Sequence, residues 1–205
     1  PPWGIELRID LFNALVLIIV TGICAVVISA SLTSLSMEVP EKKHNLFYAA
    51  FLLCMTGLAG MTITGDVFNI FVFLEISSLS SYALISQGAT RRALTASIRY
   101  LVMGTIGGTL LLLGIGMLYR VTGTLNIVDM ADQLAMVGPN RTVLVALACI
   151  TIGTSIKLAV FPLHFWLPPA HANALAPVRV ILSALVVKGP VYRSEERRGG
   201  AEGSI

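Results

Sequence analysis

The run Val67-Phe-Asn-Ile-Phe-Val-Phe-Leu-Glu75-Ile-Ser-Ser-Leu-Ser-Ser-Tyr-Ala-Leu-Ile-Ser86 holds twenty residues, apolar for the most part, with a carboxylate near its centre. At 1.5 Å per residue it makes about 30 Å of helix, the thickness of bilayer hydrocarbon. A charge placed midway costs roughly 3 kcal/mol on membrane-insertion scales. The same arrangement recurs twice. Lys157 lies in the apolar stretch Thr142 to Phe161, and Lys188 in one that begins near Val178. Spans that serve only as anchors do not carry such groups. One acid and two amines at membrane depth are the parts of a proton path.

The rest of the chain fits this frame. Apolar blocks run from Leu11 to Leu32, Leu46 to Thr64, Val67 to Ser86, Ile98 to Tyr119 and Thr142 to Phe161, with a sixth starting at Val178. Their length predicts transmembrane helices, so the fold class is all-α: a polytopic bundle of about six spans. Between the fourth and fifth blocks, Leu125, Ile127, Val128, Met130, Ala131 and Leu134 alternate with Asp129, Asp132 and Gln133. That pattern predicts a short amphipathic helix at the membrane surface. Gly104, Gly107, Gly108, Gly114 and Gly116 in the fourth block permit close helix contact. Lys42, Lys43, Arg91, Arg92 and Arg99 fall on one side, and Arg8, Arg120 and Arg141 on the other, which places the loops after the first and third spans in the cytoplasm.

Composition excludes several functions. Hydrophobic residues make up 56% and charged residues 12%, about half the charged share of a soluble domain. No basic patch with interleaved aromatics suggests nucleic acid. Cys24, Cys54 and Cys149 are too scattered for a metal or iron–sulfur centre. No nucleotide loop or catalytic triad is present, so the expectation is no cofactor and no metal in this chain. Any redox chemistry belongs to partners.

The polar residues inside the apolar blocks are the candidate site. Ser78 and Ser81, three and six residues beyond Glu75, extend a hydroxyl-bearing stripe able to hold water. Lys157 follows Thr151, Gly153, Thr154 and Ser155. A buried amine whose distance to a carboxylate changes can take up and release a proton. The alternatives are a neutral, hydrogen-bonded Glu75 and lysines whose stems snorkel to the interface. Beyond Lys157, four prolines (Pro162, Pro168, Pro169 and Pro177) stand beside His164 and His171. Proline frees helix carbonyls, tolerable at membrane depth only where protein or water satisfies them, so this stretch predicts a helix interrupted on a transport path. Either histidine can serve in proton transfer or simply as a hydrogen-bonding group.

Lys157-Leu-Ala-Val-Phe-Pro-Leu-His-Phe-Trp-Leu-Pro-Pro-Ala-His171, the later Leu185-Val-Val-Lys188-Gly189, and Gly65-Asp-Val-Phe-Asn-Ile-Phe-Val-Phe-Leu-Glu75 together resemble the antiporter-like membrane subunits. These belong to respiratory complex I, energy-converting hydrogenases and Mrp-type sodium/proton antiporters. The wording around Glu75 and at Thr122-Gly-Thr-Leu-Asn126 is more similar to the D-type Mrp members and the hydrogenase members. Pro169 and Arg179 depart from the family pattern, which has an aspartate and a small residue there.

The resemblance implies a fold of two inverted repeats, of which this chain supplies most of the first. It implies a relay of Glu75, Lys157 and Lys188 that moves protons, or exchanges them for sodium, within an assembly of other membrane subunits. The oxidoreductase chemistry of such an assembly would be NADH:quinone- or hydrogenase-like, in a prokaryotic cell membrane. A non-conducting structural subunit of the same assembly is the alternative. Residues 1–192 read as one partial transmembrane domain, and 193–205, charged and glycine-rich, as a non-native tail.

Overall fold

A computed structural model describes residues 6–88, 90–138 and 140–183, with the side chains of residues 36–38 set aside. Lys188 and the 193–205 tail lie outside the described residues. Eight α-helices follow in order: α1 Leu11–Glu38, α2 His44–Ile63, α3 Val67–Ser86, α4 Arg91–Thr122, α5 Ile127–Val137, α6 Arg141–Lys157, α7 Leu167–Asn173 and α8 Ala176–Ile181. A short 3-10 turn, Glu41–Lys43, leads into α2. No β-strand forms among the described residues; the two isolated bridges join Leu7 to Thr64 and Asp66 to Asn126.

Helices α1 to α4 are each long and apolar enough to cross a bilayer. Their outward faces carry large apolar residues: Ile18, Val26, Leu53 and Leu113 are all exposed. In water such surface would be a liability; in hydrocarbon it is the expected exterior.

Local chemistry sets the helix ends. Asp66 Oδ1 accepts the Asn69 amide at 2.9 Å and starts α3; Thr90 Oγ1 does the same for Ala93 at 3.2 Å and starts α4. The Thr90 cap explains why α4 begins seven residues before the apolar block at Ile98: Arg91, Arg92 and Thr95 form polar opening turns of the same helix. Gly123 ends it in the left-handed region, φ 72°. Asn126 caps α5 through Val128 and Asp129, and only Met130 of that helix is buried, as a surface-lying amphipathic helix requires.

The expected fifth span is shorter than its apolar block. Helix α6 stops at Lys157 instead of Phe161. Pro162 offers no N–H and its ring crowds the carbonyl four residues back, so the helix must end before it. Ala159 takes φ 52° at the break. The chain then turns, re-forms one short helix with Pro168 and Pro169 in its first turn, and breaks again before α8, where Pro177 again sits in the opening turn. Arg179 donates through Nε to the Ala174 carbonyl at 2.8 Å and so satisfies a carbonyl at the C-terminal end of α7.

Close backbone packing joins the central helices. A Cβ on Gly153 of α6 would lie 2.7 Å from the Gly107 carbonyl oxygen of α4. Helices α2 and α3 meet as tightly, since a Cβ on Gly57 would lie 2.7 Å from the Ser77 amide nitrogen. At one end of the bundle the main chain itself is clasped. Gly65 N–H donates to the Glu6 carbonyl (2.9 Å), Val67 N–H to Leu125 (2.9 Å) and Ile127 N–H to Gly65 (3.1 Å).

Candidate functional site

Glu75 is the ninth residue of α3, and Lys157 ends α6 after about 26 Å of helix. Both positions fall well away from the helix starts. The lysine Nζ donates to Glu75 Oε1 at 2.6 Å, and their side chains are 4% and 22% exposed. Nζ also donates to Ser78 Oγ at 3.2 Å. Of the two ion pairs among the described residues, this one is buried; Arg8 and Asp10 form the other at the surface. The ammonium therefore does not snorkel.

Gly108 of α4 makes room for the acid. A methyl group there would collide with Glu75 Oε1. The glycine-rich face of α4 thus admits both the carboxylate and the α6 backbone, and three helices converge on one charge pair.

The serine stripe divides. Ser78 faces the lysine, whereas Ser81 donates to the Ser77 carbonyl at 2.8 Å and lies 3.6 Å from Cys54 Sγ of α2. The two histidines also part. His164 stacks on Phe165, ring centroids 5.1 Å apart, and its buried Nδ1 finds no hydrogen-bond partner among the described residues. His171 Nδ1 lies 3.5 Å from Ser183 Oγ. Neither histidine has a hydrogen bond to the Glu75–Lys157 pair.

A set of aromatics that sequence reasoning missed braces the break. Trp166 Nε1 donates to the Ile156 carbonyl at 2.9 Å, the residue just before Lys157. Its indole stacks on Tyr100 with centroids 4.1 Å apart and planes 1° from parallel, and Tyr100 meets Tyr82 edge-on at 4.4 Å. The available clue was Tyr82, seven residues from Glu75 and so on the same helix face. No group of His, Cys, Asp and Glu among the described residues is arranged to hold a metal.

Residues 64–194 match the model of the NADH:quinone oxidoreductase/Mrp antiporter transmembrane family. The chain belongs to this family. A relative from Desulforudis audaxviator, named NADH-quinone oxidoreductase subunit N, is 45% identical over 94% of this chain and 38% of its own length. A Na(+)/H(+) antiporter subunit of Bacillus subtilis, of the D type, is 31% identical over 93% of this chain and 38% of its length. Of the two, the oxidoreductase subunit has the higher identity.

Among solved structures, a chain of the membrane-bound sulfane sulfur reductase, an archaeal respiratory membrane complex, superposes with a TM-score of 0.87. It is 37% identical over 94% of this chain and 39% of that one. The chain therefore spans less than two fifths of these family members and is an integral membrane segment of the antiporter-like fold.

Proposed function

We propose that this segment moves protons through the Glu75–Lys157 pair, as part of a larger membrane assembly in a prokaryotic cell membrane. The observation that carries the reading is the 2.6 Å contact between two charged groups sunk in a helix bundle. At an effective dielectric near 20, charges 4 Å apart attract by about 4 kcal/mol. Doubling that separation halves the attraction and leaves a poorly compensated, desolvated amine, which gives up its proton more readily. Lys188 would receive it, and a neighbouring subunit would drive the separation. The oxidoreductase and antiporter names of the relatives support an assembly that couples ion movement to another process, with sodium exchange as one form of it.

Lys157→Ala in the full-length protein, reconstituted with its assembly into vesicles containing a pH-sensitive dye, tests this. The expected result is loss of proton movement with the subunits still co-purifying. Undiminished movement overturns the reading. A purely structural role predicts the reverse: Glu75→Met/Lys157→Met, which removes both charges together, would then pump normally once assembled.

A further inference from the structure

At the opposite end of α4 from its left-handed Gly123 cap, Arg91, Arg92, Thr95 and Arg99 line a cavity of about 290 Å³ whose other wall is Pro169 and Asn173 of α7. We propose that this cavity holds the phosphate of an anionic phospholipid headgroup, clamped between α4 and α7.

Charge is the first argument. Three arginines line one cavity, and among the described residues no carboxylate lies within 4 Å of their guanidinium groups. Arg91 and Arg92 open α4, where the helix dipole is itself positive, so their like charges add to that end, with Arg99 two turns further on. An anion relieves both effects. Guanidinium presents paired N–H donors matched to phosphate oxygens, and cavities of this kind between membrane helices suit lipid headgroups. Asn173 adds polarity from the facing wall: its Nδ2 gives one hydrogen to the Pro169 carbonyl at 2.9 Å, leaving a second.

Position selects a lipid over a free anion. Helix α4 is long and apolar enough to cross the membrane, and its arginines occupy the end where headgroups lie. Beside them Leu94, Ile98 and Val102 are 51%, 52% and 51% exposed. Spaced four residues apart, they form an apolar track on α4 that runs alongside the arginines toward the helix's apolar middle. A phosphate in the cavity with acyl chains on that track uses both features; inorganic phosphate uses one.

The probe is phosphatidylglycerol in phosphatidylcholine nanodiscs carrying the full-length protein in its assembly, with retained lipid counted by native mass spectrometry. Arg92→Gln/Arg99→Gln should lower phosphatidylglycerol retention about tenfold or more, whereas Arg120→Gln/Arg141→Gln should not change it. Equal retention in the Arg92/Arg99 variant overturns the proposal. So does loss of phosphatidylglycerol from the wild-type protein on adding inorganic phosphate alone, which would assign the cavity to a free anion. Should the variant fail to assemble, phenylglyoxal modification of wild-type Arg92 and Arg99 decides. Phosphatidylglycerol discs should slow it severalfold relative to pure phosphatidylcholine, and equal rates refute lipid occupancy.

Discussion

The ammonium of Lys157 and the carboxylate of Glu75 depend on each other more than either depends on its helix. Removing one partner of a buried pair leaves an uncompensated charge, at a cost of about 3–5 kcal/mol. Glu75→Gln should therefore lower the melting temperature of the purified assembly sharply. Glu75→Met/Lys157→Met should melt far closer to wild type than the two single losses add up to; simple additivity would show that the charges are not coupled. Trp166→Phe is a milder case. Ile156 loses its indole donor but still accepts the Ala159 N–H at 3.2 Å, so about 1 kcal/mol is expected, read from the same melts.

At the scale of the helix, the site is a problem of register. Residues turn 100° apiece, so Ser78 at three beyond Glu75 stays within about 60° of the acid while Ser81 at six swings about 120° away. That is why Ser81 faces Cys54 of α2 and Tyr82, at seven, returns to the acid's face. The existence of α1 to α4 was legible from apolar length, and Glu75 and Lys157 from the rarity of charge in such surroundings. The exact stop of α6 was not, because hydropathy continues through Phe161 while proline geometry ends the helix earlier.

The glycines sort in the same way. Gly153 abuts backbone, with Leu111 N 2.9 Å from an added Cβ, whereas Gly116 meets nothing within 4 Å. Gly153→Ala should cost about 1–3 kcal/mol by forcing α6 off α4. Gly116→Ala should be neutral or stabilise by up to about 1 kcal/mol, since alanine is the better helix former. Thermal melts that rank the two the other way would contradict the packing described for α4 and α6.

Taken whole, the bundle has two unlike ends. Arginines 91, 92 and 99 mark one; Arg120 and the clasp of residues 6–8, 64–66 and 125–127 mark the other. Basic-residue bias predicts that the arginine-rich end faces the cytoplasm. In a cysteine-free background, Lys42→Cys and Arg91→Cys should react with a membrane-impermeant maleimide in inside-out vesicles, and Arg120→Cys in right-side-out vesicles. Labelling with the sides exchanged would invert the orientation. Helix α6 enters from the Arg120 end, and α7 finishes at the other, where a Cβ on Gly88 would lie 3.2 Å from the Asn173 carbonyl oxygen. The pair α6 and α7 thus crosses as one broken element with Lys157 between its halves.

The clasp at the Arg120 end has a consequence for inheritance. Its four bonds, Arg8 N–H to the Ile63 carbonyl at 2.7 Å being the fourth, run from peptide to peptide. The side chains at 6, 8, 65, 67, 125 and 127 can therefore change without undoing them, proline at 8, 65, 67 or 127 excepted. Asp66 and Asn126 between them are held to their capping roles. A junction fastened in this manner tolerates wide drift in spelling while its geometry stays put.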